Sequence, residues 1–200
     1  MTLQRYQQLR RLVLAGVLLL ALILLLFVRS SASEETHEMI EMIGLGMIVV
    51  GIVGRIWCTL YIGGRKSAEI VDAGPYSISR NPLYVFSSVA AAGLGAQSGS
   101  LIVAFVTMVV CIAAFHVVIR REERFLGQRF GTVYADYVER VPRFWPNPAL
   151  FRDQPELMVK TDRIYATLFD GLVFFVAMPL LEIVEWLQDG GVLPVLLRLP

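Results

Sequence analysis

The chain has 200 residues, of which 56% are hydrophobic and only 18% are charged. This apolar content is too high for a soluble fold of that size, and the length suits one domain. We therefore expect a single integral membrane domain over residues 1–200. The net charge of +1 gives no reason to expect nucleic acid as a partner. Cys58 and Cys111 lie far apart in apolar runs, which favours buried thiols over a disulfide or a metal site.

The first apolar run, residues 12–28, is uncharged and follows Arg5, Arg10 and Arg11. At about 1.5 Å per residue it nearly crosses a hydrocarbon core of about 30 Å. A cleaved signal peptide is the alternative, because small residues follow at 30–33. The length of the run favours a retained helix.

Residues 42–64 predict a second span, interrupted only by Arg55. Gly44, Gly51 and Cys58 recur every seven residues, which indicates close helix packing. A charge within the membrane costs about 2.5–3.5 kcal/mol on insertion scales, so Arg55 should face the bundle interior. There it would bind a substrate carboxylate, or it would pair with an acidic residue or a backbone carbonyl.

The loop that follows contains the most unusual stretch of the chain, residues 74–84. Pro75 and Pro82 bias the residue before each of them away from the helical region, so this stretch should be turned or extended at both ends. It also carries Tyr76, Arg80 and Tyr84 at the mouth of the next helix. We predict that this loop holds a small cofactor.

Three more spans are predicted: residues 83–96, residues 101–119 with His116 near the end, and residues 164–187. Acidic residues and Pro179 interrupt the last of these, which would be kinked or partly interfacial. No pattern assigns the apolar tail at 192–200.

Residues 120–163 form a long polar segment between the last two spans. Within it apolar residues recur at helical spacing, which predicts an amphipathic helix against the membrane or capping the bundle. These residues are Leu126, Phe130, Val133, Tyr134, Tyr137 and Val141.

With five spans, the amino terminus, the loop at 63–81 and the segment at 120–163 share one membrane face. They carry 15 of the 18 basic residues, so that face should be cytoplasmic. The loop and the polar segment would then form one site together.

The chemistry of that site depends on Glu122 and Glu123, which stand among arginines where the fourth span ends. A solvated helix end with snorkelling arginines is one interpretation. Facing Tyr76, Arg80 and Tyr84, however, the carboxylates would surround a pocket suited to a zwitterionic ligand with a cationic centre.

His116 precedes Arg120 by four residues and Glu123 by seven, so the three share one helical face. It would serve either as a base or as a buried structural histidine.

The motifs Gly74-Pro75-Tyr76, Arg80-Asn81-Pro82-x-Tyr84 and Glu122-Glu123 occur in this order, followed by Phe130-Gly131, Tyr134, Tyr137 and Val141-Pro142. Over residues 63–146 the chain resembles the isoprenylcysteine carboxyl methyltransferases and the related phospholipid N-methyltransferases. The resemblance implies an all-α polytopic membrane helix bundle of about five transmembrane helices with a cytoplasmic amphipathic helix and no Rossmann domain. It also implies S-adenosyl-L-methionine as the cofactor, bound in a cytoplasmic pocket.

By position, the resemblance implies a cofactor-binding set of Ala68, Glu69, Ile70, Val71, Tyr76, Asn81, Pro82, Leu83, Tyr84 and Glu122. The candidates for catalysis or substrate binding are Arg80, Glu123, His116 and Arg55. Asn81 stands where the family has histidine, and it keeps hydrogen bonding without titration. Val118 stands where the carboxyl methyltransferases place a substrate-binding arginine, which Arg120, Arg121 or Arg55 would have to replace.

These observations predict a methyltransferase whose lipophilic acceptor enters from the membrane, with a phospholipid or other lipid-amine N-methyltransferase as the alternative. A non-catalytic bundle for transport or assembly is the competing class. It would place charges along several spans, whereas only Arg55 and His116 lie well inside the first four.

Overall fold

The computed structural model describes residues 26–65 and 68–199. Almost all of the predicted first span lies outside the described residues, as do Arg5, Arg10, Arg11 and Lys66. In chain order the elements are β1 (Val28–Ser30), α1 (Glu34–Ile62), α2 (Pro75–Ile78), α3 (Pro82–Ala96), α4 (Leu101–Phe130), α5 (Thr132–Arg140), a 3₁₀ turn (Pro148–Leu150), α6 (Thr161–Asp189) and β2 (Leu197–Leu199).

The described part of the chain is an all-α bundle of the membrane type, as predicted. The helices α1, α4 and α6 are long and apolar enough to cross a membrane, with mean hydropathies of 1.9, 2.8 and 1.9. Helix α3 has only 15 residues, or about 22 Å of length. It lies between α1 and α4, while α6 packs on α1.

The small-residue seam predicted on α1 is confirmed, and its partner is α3. A Cβ atom on Gly44 would come within 2.8 Å of the Gly93 carbonyl oxygen, and one on Gly51 within 2.6 Å of the Ala90 Cβ atom. Cys58, one more repeat along, is fully buried. The two backbones therefore approach more closely than larger side chains would allow.

Two helices extend beyond the predicted spans. Helix α1 begins at Glu34, ahead of the span predicted at 42–64, because the Ser33 side chain caps the helix by accepting from the Thr36 N–H. Helix α4 continues past the span predicted at 101–119 to Phe130, which keeps His116, Arg120 and Glu123 on one helix as expected. Gly131, at φ +52°, then turns the chain into α5, so the predicted apolar stripe lies on two helices instead of one.

The tail that the sequence left unassigned forms β2, which pairs in parallel with β1. Arg29 in β1 also forms an ion pair with Asp189 at the end of α6. These contacts lie at the end of the bundle where α1 begins and α6 finishes. The opposite end carries the loop at 74–84.

Candidate functional site

The loop at 74–84 is anchored to the polar segment that precedes α6. Gly74 has φ +57°, and its α-carbon faces the ring of Tyr61 at a distance that leaves no room for a side chain. Its N–H donates to the Arg152 carbonyl oxygen at 2.7 Å. The Ser77 hydroxyl donates to the Gly74 carbonyl oxygen and accepts from the Arg152 N–H. Only glycine fits this combination of conformation and contact.

A second anchor involves Asn81, at the position where the resemblance would place histidine. The Asn81 side-chain amide is buried and donates to the Arg143 carbonyl oxygen at 2.9 Å. The Ser79 hydroxyl donates to the Phe144 carbonyl oxygen, also at 2.9 Å. Asn81 therefore helps to fix the backbone that carries Arg143.

Tyr84 connects the loop to α4. Pro82 begins α3 at the first helical position, where a missing N–H costs little, and this places Tyr84 in the first turn. The buried Tyr84 ring packs against Phe115 with a centroid distance of 4.7 Å and against Val118. Its hydroxyl donates to the Glu122 carboxylate at 3.0 Å. The two halves of the predicted site, 38 residues apart in sequence, thus meet directly.

Glu123 is the centre of an ion-pair network beside this contact. Arg80 approaches one carboxylate oxygen at 3.1 Å, and Arg143 holds both oxygens through its Nε and Nη2 atoms at 3.1 and 3.0 Å. The side chains of Arg80 and Glu123 are only 10% and 13% exposed, whereas Arg143 is 44% exposed. The Nε atom of Arg80 is buried and has no hydrogen-bond partner within the described part of the chain.

A cleft of about 480 Å³ opens beside this network. Four arginines and one glutamate border it, so its charge favours an anionic group. The lining residues are Arg80, Arg120, Glu123, Arg124, Tyr134, Val138 and Arg143.

Three buried tyrosines of the loop and α5 are held as neutral phenols. Burial raises the pKa of Tyr134, with Glu123 adding to the shift and Arg80 opposing it. Burial also raises the pKa of Tyr76 and Tyr137 above the ordinary value. The Tyr137 hydroxyl donates to the Tyr76 carbonyl oxygen at 2.8 Å, which fixes α5 against the loop.

The structure brings most of the predicted cofactor residues together but leaves two at the edge. Ile70 packs against the cluster of Tyr134, Tyr137 and Val141, and Val71, Tyr76 and Leu83 share another cluster with Cys58 and Tyr61. Ala68 and Glu69 are exposed, and Glu69 forms an ion pair with Arg65 at 3.3 Å.

Two of the four candidates for catalysis lie away from the network. His116 is exposed, so the interpretation of it as a buried structural histidine is wrong. The Nε atom of Arg55 is buried inside the bundle, as expected, without a hydrogen-bond partner in the described part. Its electrostatic partner is Asp170 on α6.

Sequence reasoning missed Arg143. The residue follows directly after the Val141-Pro142 pair of the motif pattern. This position next to a motif is the one signal in the sequence that points to a role in the site. Its role depends on contact with Glu123, 20 residues earlier, and with the loop about 60 residues earlier.

The chain is similar to one family of membrane proteins and to two named metal-resistance proteins. The family profile described as phospholipid methyltransferase matches residues 39–133, from the first turns of α1 to the start of α5. The chain is 34% identical over 190 residues to the nickel-cobalt-cadmium resistance protein NccN of Alcaligenes xylosoxydans xylosoxydans, covering 94% of this chain and 87% of that protein. It is 38% identical over 151 residues to the cobalt-zinc-cadmium resistance protein CzcN of Cupriavidus metallidurans, covering 74% and 69% respectively. No solved structure matches the chain.

Proposed function

Because the chain belongs to the phospholipid methyltransferase family of membrane proteins, we propose that it is an enzyme that transfers a methyl group from S-adenosyl-L-methionine to a lipophilic acceptor. The acceptor reaches the cleft from the bilayer, as in an isoprenylcysteine carboxyl methyltransferase or a lipid-amine N-methyltransferase. The observation that carries the proposal is the hydrogen bond between Tyr84 and Glu122, which joins the two motif halves.

The residues of the site fit the cofactor chemically. S-adenosylmethionine, when bound, supplies an electrophilic methyl group on a sulfonium centre. The unpartnered Nε donor of Arg80 suits a carboxylate, and the Glu122 carboxylate suits an ammonium group or ribose hydroxyls. The ring faces of Tyr76 and Tyr84 suit a cationic centre. Asn81, Pro82 and Leu83 complete this wall of the site.

Methyl transfer is a displacement that requires mainly positioning, with nucleophile and methyl carbon about 3–3.5 Å apart. Glu123 is engaged by two guanidinium groups, so we assign it the positioning of Arg80 and Arg143 and not proton abstraction. Arg120 and Arg124 remain at the cleft for an anionic acceptor, either a carboxylate or a lipid phosphate. A carboxylate acceptor needs no base, which suits a cleft with no histidine among its described lining residues.

The basic residues at this end of the bundle support a cytoplasmic position for the site. Membrane lipids would then be both the surroundings of the enzyme and the source of its acceptor.

Calorimetry with S-adenosylhomocysteine, on the protein in detergent, tests the proposal. We expect one site per chain, with affinity reduced by about tenfold or more in Glu122→Gln, because a hydrogen bond to a charged group contributes about 1.5–3 kcal/mol. Glu139→Gln, an exposed change at the same end, is the matched control. Absence of binding by the wild-type protein at millimolar ligand would overturn the proposal.

Transfer itself is measured with tritiated methyl donor and membrane lipids, followed by mass comparison of lipid extracts for the gain of one methyl group. Glu122→Gln and Tyr76→Ala should lose transfer. Unchanged transfer in both variants would remove these residues from the mechanism.

A second candidate role rests on the likeness to NccN over 94% of the chain and to CzcN over 74% of it. We propose that the chain contributes to resistance against nickel, cobalt, zinc or cadmium in its host. Growth of a deletion strain on these metals, complemented with wild type or Glu122→Gln, tests this role. Equal rescue by both would separate resistance from methyl transfer, and normal growth of the deletion strain would refute the role.

A further inference from the structure

A second cluster of functional side chains lies at the other end of the bundle, far from the cleft. His37 and Glu41 occupy successive turns near the start of α1, and Glu185 lies near the end of α6. Tyr61, beside the loop at 74–84, is 24 residues further along α1 than His37, or about 36 Å at 1.5 Å per residue. The cluster is therefore no part of the proposed methyl-transfer site.

The three side chains converge on one point. The His37 Nε2 atom lies 3.3 Å from the Glu41 carboxylate and 3.4 Å from that of Glu185. All three ligand atoms lie within 4.8 Å of one another. Charge-assisted hydrogen bonds between nitrogen and oxygen are typically about 2.7–2.9 Å, so these separations exceed the usual length of such a hydrogen bond. Two ligands bound to one tetrahedral zinc ion at about 2.0–2.1 Å lie about 3.3–3.4 Å apart, which matches both distances.

The surroundings support a cation. The side chain of His37 is 21% exposed and those of both glutamates are 34% exposed, so the cluster is partly shielded yet reachable from solvent. The neighbouring cation Arg29 is paired with Asp189. Two carboxylates therefore share one imidazole, and the cluster carries excess negative charge among the described residues.

The ring of His37 is also held in place. It lies against Gly99 in the turn between α3 and α4, so closely that a Cβ atom on that glycine would overlap the ring at Nδ1. The Ser30 hydroxyl donates to the Gly99 carbonyl oxygen at 2.8 Å, which fixes the turn. The Nε2 atom is thereby directed at the two carboxylates.

We propose that His37, Glu41 and Glu185 bind one divalent transition-metal ion, with solvent completing the coordination. One imidazole and two carboxylates suit zinc, cobalt or nickel better than calcium or magnesium, which prefer oxygen ligands alone. The ion would join α6 to α1 at this membrane face. The site is independent of the proposed methyl transfer.

The test uses the full chain in detergent without a histidine tag. Equilibrium dialysis with Zn²⁺ and absorption spectroscopy with Co²⁺ should show one ion per chain, with d–d bands of a low-coordinate nitrogen–oxygen site. His37→Gln, Glu41→Gln and Glu185→Gln should each weaken binding at least tenfold. Glu38→Gln, an exposed change on the same turn of α1, should bind as the wild type does.

The chain has two histidines, so His116→Gln shows whether His37 or His116 binds the metal ion. Loss of binding in that variant, with retention in His37→Gln, would overturn the proposal, and so would a thiolate-to-cobalt band indicating a cysteine ligand. Absence of stoichiometric binding by the wild type would overturn it without any variant. Zn²⁺ should also raise the unfolding midpoint of wild type but not of Glu185→Gln, and an equal rise in both would count against the site. Calorimetry with S-adenosylhomocysteine on the same samples reports separately on the proposed cofactor site at the opposite end of the bundle.

Discussion

Replacing Glu123 by glutamine removes the carboxylate that two guanidinium groups share. Arg80 and Glu123 are 10% and 13% exposed and lie 3.1 Å apart, so their pair is largely shielded from water. Arg143 is 44% exposed, so its ion pair with Glu123 adds little free energy and serves mainly to orient the Glu123 carboxylate. Without the carboxylate, four arginines would border the cleft with no opposing charge among its described lining residues.

The magnitude follows from these exposures. Removing one partner of a buried ion pair costs about 3–5 kcal/mol, and the half-exposed pair with Arg143 adds about 0–1 kcal/mol. Glutamine keeps one acceptor oxygen, which restores about 0.5–1.5 kcal/mol. We therefore expect a net loss of about 1.5–5.5 kcal/mol. For a chain of this size, each kcal/mol lowers the unfolding midpoint by about 2–4 °C, so the shift should be roughly 3–22 °C.

The assay is thermal unfolding in detergent, followed with a thiol-reactive dye. Cys58 is fully buried and gains reactivity as the bundle opens, whereas Cys111 is only partly buried and contributes to the baseline signal. Glu139→Gln, an exposed glutamate on α5, is the control and should melt as the wild type does. If Glu123→Gln melts within about 2 °C of this control, the network is not the structural centre that its geometry indicates.

Three further predictions concern the packing around the site. Gly93→Val should destroy the α1–α3 contact, because a Cβ atom there would lie 2.5 Å from a carbonyl oxygen of α1. Size-exclusion chromatography should show aggregation of this variant, whereas Gly46→Val, with open space around the residue, should remain monodisperse. Equal elution profiles of the two variants would refute the close packing of α1 on α3. Tyr137→Phe leaves the Tyr76 carbonyl oxygen without its donor and should cost about 1–3 kcal/mol in thermal unfolding; an unchanged midpoint would contradict the bond. Burial raises the pKa of Tyr134, so its contribution to stability should be complete below about pH 10, the ordinary value, and be lost as pH rises through the raised one. Tyrosinate absorbance of wild type minus Tyr134→Phe measures this, and titration at the ordinary value would refute it.

Local signals predicted much of the fold. The repeat of Gly44, Gly51 and Cys58 identified the packing face of α1, because small residues at a helical period have little other use in a membrane. Pro82 placed the start of α3 correctly, since proline suits the first helical position. The prediction that the loop and the segment at 120–163 would meet is matched by the hydrogen bond between Tyr84 and Glu122.

The failures have physical reasons of two kinds. The span predicted at 101–119 leaves the end of α4 open, because charged residues end the apolar run but not the helix, which continues to Phe130. Arg143 and the cluster of His37 with Glu185 depend on contacts between segments far apart in the chain. A periodic sequence pattern identifies which face of a helix is apolar. It does not identify the distant residues that will pack against that face.

The length of α4 has a consequence for any acceptor held in the bilayer. Its 30 residues measure about 45 Å, against about 30 Å of hydrocarbon. The end that carries Glu122 and Glu123 therefore stands at the level of the lipid head groups. A lipid acceptor would react there without leaving its monolayer, so turnover would follow its mole fraction in the membrane plane and not its bulk concentration. Diluting the acceptor with inert lipid, at constant total acceptor, would then slow the proposed methyl transfer.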